Sequence, residues 1–552
     1  MRRGVEYLYV NAGTDFASIV EAYARRDESG LALPTPIICP HENLAVGMAH
    51  GYALVTGRPQ AVMVHVSVGT ANCVCGVFNA ARDQVPLLLA AGRTPLYESG
   101  RRGARSANIH WAQEMFDQAG MLRELVKWDY ELHDALQANL AVDRALAIAR
   151  AAPQGPVYLT LPREVLAQEL SGIEVLEADT SVPAAPAPDP AAVERLADLL
   201  AAAKLPVIVT SACGGTDEEL GSFARLVSRF GIGVVEYRGR RVCLPGSHPH
   251  HLGTDNRIAL EQADLIVVLE SDVPWMPSGN GEPRRDAHIV HIGVDPLFAR
   301  YPVRSFHSDL TLASSLGNLL PPLDAALERR RASAAFAPDE RARRIADLAS
   351  ARRGELSARR RRIAAEPRMS RAWLNHCLSD ALPEDAILVN EYWVDRDIVE
   401  REIPGTYFGT PPAGGLGWGL PAALGVRQAA PHRVVVAAVG DGAYLFANPA
   451  ACHQAAAAHG LPVLTIVCNN AQWAAVQWAA LGVYPSGHAA RKGTPVPLSS
   501  LAPVPDFERY AQASGGYGER VSEAGELPGA LERALDVVRN ERRQALLNVI
   551  CD

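Results

Sequence analysis

Side chains that can hold a divalent cation follow two apolar stretches near the end of the chain. Gly440-Asp441-Gly442 comes directly after one stretch, and Asn469-Asn470 comes after the next. Asp441 offers a carboxylate oxygen, Asn470 offers an amide oxygen, and a backbone carbonyl is available near Gln472. These ligands are too few for a closed protein cage. They suit a Mg²⁺ ion that completes its octahedron with phosphate oxygens and water.

The stretches that carry these residues are typical of a strand, a helix and a second strand. Val434–Val439 and Leu461–Val467 are apolar runs of strand length. Between them, Asn448-Pro449 predicts a helix start, with an N-cap residue followed by proline at the first helical position, and Gly460 marks the helix end. Open α/β sheets bind ligands at the carboxyl ends of their strands. The sequence therefore predicts that the two oxygen ligands lie at one sheet edge.

Composition and charge exclude several classes of protein. The 552 residues are 48% hydrophobic and 21% charged, which is ordinary for a globular chain, and the formal net charge of −8 argues against binding to nucleic acid or to a membrane surface. No apolar run approaches the ~20 residues of a membrane span, and no signal-peptide core follows Met1. The nine cysteines are scattered, which favours a reducing compartment. We therefore expect a cytoplasmic protein.

Three α/β blocks divide the chain. Strand-like runs alternate with helical patterns in residues 1–178, 193–322 and 368–552, and such alternation predicts doubly wound parallel sheets. The Pro/Ala-rich stretch Thr180–Ala192 marks a linker. The charged stretch Pro321–Pro367 could be a nucleic-acid arm, but its interspersed Glu, Asp and Ala favour a solvated helical connector. The middle block lacks the GxGxxG fingerprint expected of a nucleotide-binding dehydrogenase.

Individual elements can be predicted within these blocks. Helical patterns include Asn43–Thr56 and Ala71–Arg82. The further strand candidates are Val5–Val10, Thr35–Cys39, Ala61–Val66, Pro86–Ala91, Gly155–Leu161, Pro206–Thr210, Ile232–Glu236, Leu265–Leu269, His288–Ile292 and Ala545–Ile550. The first and third blocks share the same doubly wound character, so we expect them to have related folds.

Several segments resemble the family of thiamine-diphosphate-dependent 2-oxo-acid decarboxylases and carboligases. The third block carries the GDG…NN pattern of their diphosphate-binding domain, and residues 41–59, HENLAVGMAHGYALVTGRP, are similar to the glutamate-bearing segment of their pyrimidine-binding domain. The resemblance covers essentially the whole chain and looks closest to benzoylformate decarboxylases, with acetolactate synthases behind them. The other segments that carry it are Asn11–Thr14, His65–Asn72, Leu125–Glu131, Ala152–Tyr158, Asn390-Glu391 and Gly414–Gly425.

The resemblance implies thiamine diphosphate and Mg²⁺ as cofactors. Glu42 would hydrogen-bond to the aminopyrimidine ring and favour the imino tautomer that removes the thiazolium C2 proton. Leu416, next to Gly415, would lie beneath the bent cofactor. Taken alone, Glu42 could be a helix-start charge and Leu416 a core leucine. The diphosphate and metal positions that the resemblance implies are Gly440, Asp441, Gly442, Ala443, Asn470 and Gln472.

On the substrate side the resemblance points to four residues. His65 ends a predicted strand and matches a catalytic histidine of benzoylformate decarboxylase, and Thr14 falls where that enzyme has an active-site serine. His110 and Gln113 lie near the position where related enzymes carry a histidine pair or a Phe-Gln. Each is a candidate for proton transfer or substrate contact, and each could instead be a structural side chain.

The chain departs from benzoylformate decarboxylase in its middle block. The region that corresponds to a further catalytic histidine, Ser271–Pro277, contains no histidine. Without that proton donor, the carbanion–enamine intermediate left by decarboxylation of a 2-oxo acid can attack a second carbonyl compound such as an aldehyde. We therefore expect an acetolactate synthase-like carboligase. The alternative is a simple aromatic or branched 2-oxo-acid decarboxylase that releases an aldehyde. The middle block does not show the FAD-binding pattern of acetolactate synthases.

The resemblance also implies an assembly. Members of the family build each site from two chains, so Glu42 would come from one subunit, and Asp441 and Asn470 from its partner, in a homodimer or homotetramer. A catalytically silent binding or regulatory protein on the same scaffold would be expected to lack Glu42 or Asp441. Both residues are present, which favours an enzyme.

Overall fold

The computed structural model describes residues 1–30, 32–170, 181–332, 336–493 and 495–551. Within these ranges the chain forms three sheets whose neighbouring strands run parallel, with helices flanking each sheet. The predicted α/β class with three doubly wound parallel-sheet domains is confirmed. None of the helices in the described part of the chain is both long and apolar enough to cross a bilayer.

The first domain contains a six-stranded sheet among its described residues. Its strands are β1 (Tyr7–Val10), β2 (Thr35–Ile38), β3 (Ala61–Val64), β4 (Leu88–Arg93), β5 (Asp129–Glu131) and β6 (Val157–Pro162). They pair in the order β2-β1-β3-β4-β6-β5. The helices are α1 (Ala17–Ala24), α2 (Arg26–Ser29), α3 (Glu42–Thr56), α4 (Val66–Arg82), α5 (Ile109–Ala112), α6 (Ala138–Arg150) and α7 (Arg163–Leu166). Helices α3 and α4 start shortly after β2 and β3, so both begin at the carboxyl edge of the sheet.

The second domain is built around a five-stranded sheet in the part of the chain described. Its strands are β7 (Pro206–Thr210), β8 (Gly233–Val235), β9 (Leu265–Leu269), β10 (His288–Gly293) and β11 (Leu310–Ala313). Their order is β11-β10-β9-β7-β8, which places β8 at one edge. The helices are α8 (Pro190–Ala202), α9 (Asp217–Phe230), α10 (Arg257–Gln262) and α11 (Leu316–Arg330), and the long helix α12 (Pro338–Ala365) leads to the third domain.

The third domain again has six strands among the described residues. They are β12 (Ile387–Glu391), β13 (Tyr407–Phe408), β14 (Val435–Gly440), β15 (Leu464–Asn469), β16 (Tyr517–Val521) and β17 (Ala545–Ile550), in the order β13-β12-β14-β15-β17-β16. The helices are α13 (Arg371–Ala381), α14 (Gly419–Ala429), α15 (Asp441–Phe446), α16 (Pro449–Ala458), α17 (Ala474–Val483), α18 (His488–Lys492), α19 (Glu508–Ala513) and α20 (Leu527–Asp536). The order repeats that of the first domain, as expected from their shared character.

The predicted strands are all present, with ends shifted by a few residues. Helix α4 starts at Val66, five residues before the predicted Ala71, because the chain turns into it directly after His65. Helix α16 starts at Pro449 as predicted, but Asn448 does not cap it through its side chain. Its φ of +53° instead turns the chain between α15 and α16. The predicted first-domain end at residue 178, Thr180 at the start of the linker, and the last residue, 552, lie outside the described residues.

The charged stretch predicted as a solvated connector is partly a core element. Within this stretch, helix α11 packs against α8 and buries Leu323, Ala326 and Leu327. In α12, Arg341 is buried and donates to the carbonyl oxygens of Leu200 and other residues of the second domain. The prediction of a fully solvated connector is therefore wrong for these parts, because charge pattern alone does not reveal apolar residues facing a neighbouring helix.

Helices α3 and α14 join the first domain to the third. They pack closely, and a single apolar core extends through both domains. The approach depends on small residues: a Cβ added to Gly51 would lie 2.0 Å from the carbonyl oxygen of Ala422, and one added to Gly425 would lie 1.9 Å from that of Met48. This crossing positions the residue that begins α3 relative to the loop that precedes α14.

Candidate active site

Asp441 lies at the carboxyl end of β14, where it begins α15. Its side chain is buried, and it accepts the N–H of Gly442 at Oδ1 (2.8 Å) and the N–H of Gln472 at Oδ2 (3.3 Å). Asn470, just after β15, accepts the same Gln472 N–H at its Oδ1 (3.1 Å). Ala443 follows in the first turn of α15 and is buried. The two predicted oxygen ligands therefore share one donor, in agreement with the strand-end argument.

The surroundings of Asp441 fit a cation and a diphosphate. Burial raises the pKa of the Asp441 carboxyl above its usual value, and nearby backbone N–H groups oppose that rise. A Cβ built on Gly440 would meet no atom within 4 Å, so there is open space at the end of β14. The described residues contain no cluster of three or more His, Cys, Asp or Glu side chains suited to a metal. A Mg²⁺ held by Asp441 and Asn470 would thus need oxygens from a ligand and from water.

Glu42 is the first residue of α3, and 9% of it is exposed. The preceding residue, His41, caps the helix by accepting the N–H of Asn43 at Nδ1 (3.1 Å). Oε2 of Glu42 accepts a hydrogen bond from the side-chain amide of Asn72 on α4 (3.0 Å). In the described structure Oε1 has no hydrogen-bond partner, so this oxygen is available to a cofactor ring.

A pair of hydrogen bonds holds the residue before Leu416. Asn79 of α4 accepts the N–H of Gly415 (2.9 Å) and donates to its carbonyl oxygen (2.8 Å). Because α4 also carries Asn72, one helix holds both Glu42 and the segment that ends at Leu416. Leu416 itself is half-buried, so its side chain is not enclosed in the core and can support a bound ring.

Glu391 fixes the chain on the other side of Leu416. It is the last residue of β12 and is fully buried, and its two carboxylate oxygens accept the N–H groups of Gly417 (2.8 Å) and Gly419 (2.7 Å). Burial raises the pKa of Glu391 to about 7. The turn that follows Leu416 is therefore held by a side chain from the neighbouring strand.

The first and third domains of one chain meet at the segment before Leu416. Asn72 and Asn79 belong to the first domain, whereas Gly415 and Asp441 belong to the third. The expectation that two chains supply Glu42 and Asp441 to each site stays a prediction. The close crossing of α3 and α14 lets the two domains of a single chain pack directly.

A carboxylate that is not among the predicted site residues holds His65. Nδ1 of His65 lies 2.6 Å from Oδ1 of Asp15, which is buried, and Oδ2 of Asp15 accepts the N–H of Val66 (3.3 Å). A Cβ on Gly13 would lie 2.2 Å from Nδ1 of His65, and one on Gly92 would lie 1.8 Å from Oδ2 of Asp15. Two glycines thus make room for the pair. The contact fixes the ring and leaves its Nε2 without a partner among the described residues.

His110 lies in α5 and is buried. Its Nδ1 accepts the N–H of Ser106 (3.1 Å). Burial lowers the pKa of His110, and the positive charges of Arg163 and Arg105 lower it further. His110 is therefore neutral at neutral pH, with Nδ1 acting as an acceptor.

Gln113 and Thr14 lie beside the Asp15–His65 pair. The Gln113 carbonyl accepts the hydroxyl of Ser67 (2.7 Å), two residues after His65, and its side-chain Oε1 is buried without a hydrogen-bond partner. Thr14 is exposed at the start of a short 3₁₀ turn and directly precedes Asp15. An unpaired buried oxygen costs free energy unless a ligand satisfies it, so Gln113 fits a substrate-side position.

Asp15, Asn79 and Glu391 hold parts of the candidate site, and the predicted set does not contain them. Asp15 directly follows Thr14, and Glu391 lies in one of the segments that carry the resemblance, so both have a signal in the sequence. Asn79 has none, because its role depends on Gly415, which lies 336 positions further along the chain.

Comparison with protein-family models gives three matches in chain order. Residues 1–121 match the thiamine pyrophosphate enzyme N-terminal TPP-binding domain, residues 193–320 match the central domain of these enzymes, and residues 390–549 match their C-terminal TPP-binding domain. Together these matches cover more than half of the chain and include both the Glu42 and the Asp441 regions.

Curated relatives and solved structures agree with these matches. The chain is 30% identical to benzoylformate decarboxylase of Pseudomonas aeruginosa over 90% of this chain and 88% of the relative. It is 25% identical to sulfoacetaldehyde acetyltransferase of Castellaniella defragrans (99% and 91%) and 25% identical to acetolactate synthase isozyme 3 large subunit of Escherichia coli (92% and 86%). The fold is similar to benzoylformate decarboxylase from Polynucleobacter necessarius, with a TM-score of 0.78 at 19% identity over 100% of this chain and 96% of that one.

Proposed function

Because the chain belongs to the thiamine pyrophosphate enzyme family, we propose that it decarboxylates a 2-oxo acid with thiamine diphosphate and Mg²⁺ and joins the remaining fragment to a second carbonyl compound. One observation carries this proposal: α4 holds the Glu42 carboxylate through Asn72 and the segment before Leu416 through Asn79. These are the two features needed to activate a bent cofactor.

Each residue then has a defined task. Asp441 and Asn470 hold the metal that binds the diphosphate, and Oε1 of Glu42 holds a proton at the aminopyrimidine ring. Leu416 supports the bend between the two cofactor rings. Bound thiamine diphosphate supplies the electron sink that lets the bond to the leaving carboxylate break.

The Asp15–His65 pair favours a second candidate, the simple decarboxylase. A fragment that has lost carbon dioxide is released as an aldehyde only if a group donates a proton to it. His65 can be this group, because Asp15 holds its ring through Nδ1 (2.6 Å) and leaves Nε2 free to donate. This pair can compensate for the histidine that the region Ser271–Pro277 lacks.

A product assay tests the proposal and separates the two candidates. Purified protein with Mg²⁺ and thiamine diphosphate is given pyruvate, benzoylformate or branched 2-oxo acids, with and without an added aldehyde. A hydroxyketone or acetohydroxy acid supports the carboligase, and free aldehyde supports the decarboxylase. If the cofactor binds but none of these acids is consumed, the proposed donor class is wrong.

We further propose that the chain works as a homodimer or a homotetramer in which a second copy provides one half of each site. The family resemblance supports this assembly, and exchange of a domain between identical chains would keep every contact of the α3–α14 crossing. The test mixes Glu42→Gln with Asp441→Ala after partial unfolding and refolding together. If each site is formed by two chains, about half of the dimers are mixed and each mixed dimer has one intact site. Activity should then recover to about a quarter of the wild-type value. No recovery would mean that each site is built from one chain.

A cytoplasmic location is also proposed. The nine cysteines are free thiols in the structure, which is the state expected in a reducing compartment. Fractionation of cells that produce the protein would test this, and recovery outside the cytoplasmic fraction would contradict it.

A further inference from the structure

A cavity of about 720 Å³ lies between the second and third domains. Its lining includes Tyr392, which follows β12, and Thr410, which follows β13 closely. Strands β13, β12 and β14 are neighbours in the sheet, in that order, and neighbouring strands are about 4.8 Å apart. Because Asp441 follows β14, the cavity lies one to two strands away from it at the same sheet edge. Gly414, two residues before Leu416, also lines it. The cavity is therefore beside the proposed active site.

The second domain contributes Arg238 to the opposite wall. Arg238 lies three residues beyond β8 and has a φ of +47°, a conformation that is unfavourable for a residue with a Cβ. The turn is closed by a hydrogen bond from the N–H of Gly239 to the carbonyl of Glu236 (3.1 Å). A tight turn thus presents the exposed Arg238 side chain to the cavity, where Nη2 lies 3.8 Å from Sδ of Met276.

Among the charged side chains that line the cavity, Arg238 is the one without an ion-pair partner in the described part of the chain. No ion pair formed by the described residues includes it, although its neighbours in the wall are all paired. Those pairs are Arg240 with Asp83 (3.1 Å) and Asp272 (3.2 Å), Arg396 with Glu236 (2.5 Å), and Asp395 with Arg359 (2.7 Å). The cavity therefore carries one positive charge that no carboxylate of the described residues pairs with, and its guanidinium carbon lies 6.0 Å from the centre of the Tyr237 ring.

We propose that Arg238 binds a second anionic group of the substrate, so that the protein acts on carbonyl acids with an anionic tail. The carboxylate that is lost is a poor partner for Arg238, because a cation would stabilise its full charge in the ground state more than the dispersing charge of the transition state. A tail carboxylate, sulfonate or phosphonate keeps its charge throughout the reaction. Arginine suits such groups because its planar fork donates two hydrogen bonds to one anion.

The test compares matched 2-oxo acids on the holoenzyme. 2-Oxoglutarate carries a tail carboxylate, whereas 2-oxobutyrate and 2-oxovalerate have neutral tails. The wild-type kcat/KM is expected to favour 2-oxoglutarate by about tenfold or more. Arg238→Gln should remove that preference and leave the neutral acids unchanged, and Arg238→Lys should restore part of it. Arg257→Gln, which removes an exposed arginine of the same domain outside the cavity, serves as the control and should retain the preference.

A binding measurement separates this inference from the proposed reaction, on which its substrate role rests. Glutarate has two carboxylates and no oxo group, so it probes the anion site without turnover. Calorimetry should show glutarate binding to the wild-type holoenzyme and at least about tenfold weaker binding to Arg238→Gln. If no 2-oxo acid is consumed but glutarate binds through Arg238, only the proposed reaction fails. If glutarate binding and substrate preference do not depend on Arg238, the inference is wrong.

Discussion

Asp441 and His65 both follow a parallel strand at the carboxyl edge of a sheet, yet they are held in different ways. Backbone N–H groups bind Asp441, whereas the side chain of Asp15 binds His65. A substitution other than to proline leaves a backbone N–H donor in place, but it can remove a carboxylate. We therefore expect substitutions around Asp441 to lower activity through loss of the metal. Substitutions around His65 should lower it through loss of a correctly positioned proton.

The largest expected effect comes from Asp441→Ala. The variant lacks the carboxylate that would hold Mg²⁺, so Mg²⁺-dependent binding of thiamine diphosphate should weaken by at least about 100-fold. Calorimetry with and without Mg²⁺ measures this. Asp506→Ala, which removes a partly exposed carboxylate of the same domain, is the control and should bind normally. Equal cofactor binding by the Asp441→Ala variant and this control would contradict the proposed metal site.

Asp15→Asn should have a smaller effect of a different kind. Cofactor binding should remain, while kcat falls by roughly 10- to 100-fold, because the His65 ring loses the carboxylate that holds it in place. The fall in kcat caused by His65→Ala serves as the reference. The double variant should lose no more kcat than His65→Ala alone. A kcat for Asp15→Asn equal to that of wild type would show that Asp15 only fills space.

The smallest effect is expected for His110→Asn. The Asn side chain can still accept the Ser106 N–H, so activity above pH 7 should stay within about threefold of wild type. Stability should differ at low pH, because burial lowers the pKa of His110 in the folded chain. Unfolding then takes up a proton as the pH falls below about 6.5, and the wild type loses stability there. Thermal melts should show that the melting temperature falls less between pH 7.5 and pH 5.5 in the variant than in wild type. An equal loss would contradict this.

The Asp441 end could be predicted from sequence because its signals are local. Each ligand directly follows its own strand, and parallel strands bring their carboxyl ends to one edge whatever the rest of the fold does. The position of Asp15 directly after Thr14 draws attention to that residue, but its partner His65 lies 50 positions away on another strand–helix unit. No local pattern therefore reveals that the two side chains pair. The same reason hides Asn79 and Arg238, whose roles exist only after domains pack.

Some local signals also gave wrong details. The Asn448-Pro449 pair predicts a side-chain cap, but only two residues separate α15 from α16. The sharp turn between them requires the left-handed conformation that Asn448 adopts, and asparagine tolerates this conformation better than most residues. The helix start is therefore correct while its physical cause differs from the predicted one.

The central claim is that Glu42 activates a cofactor bound through Asp441, and one variant tests it most directly. Glu42→Gln keeps the shape of the side chain but removes the acid. Thiamine diphosphate binding and 2-oxo-acid consumption are measured on the same sample of this variant and on wild type. We predict nearly unchanged cofactor affinity and a loss of turnover of about 10² to 10⁴-fold. Wild-type turnover in the Glu42→Gln variant would contradict the account.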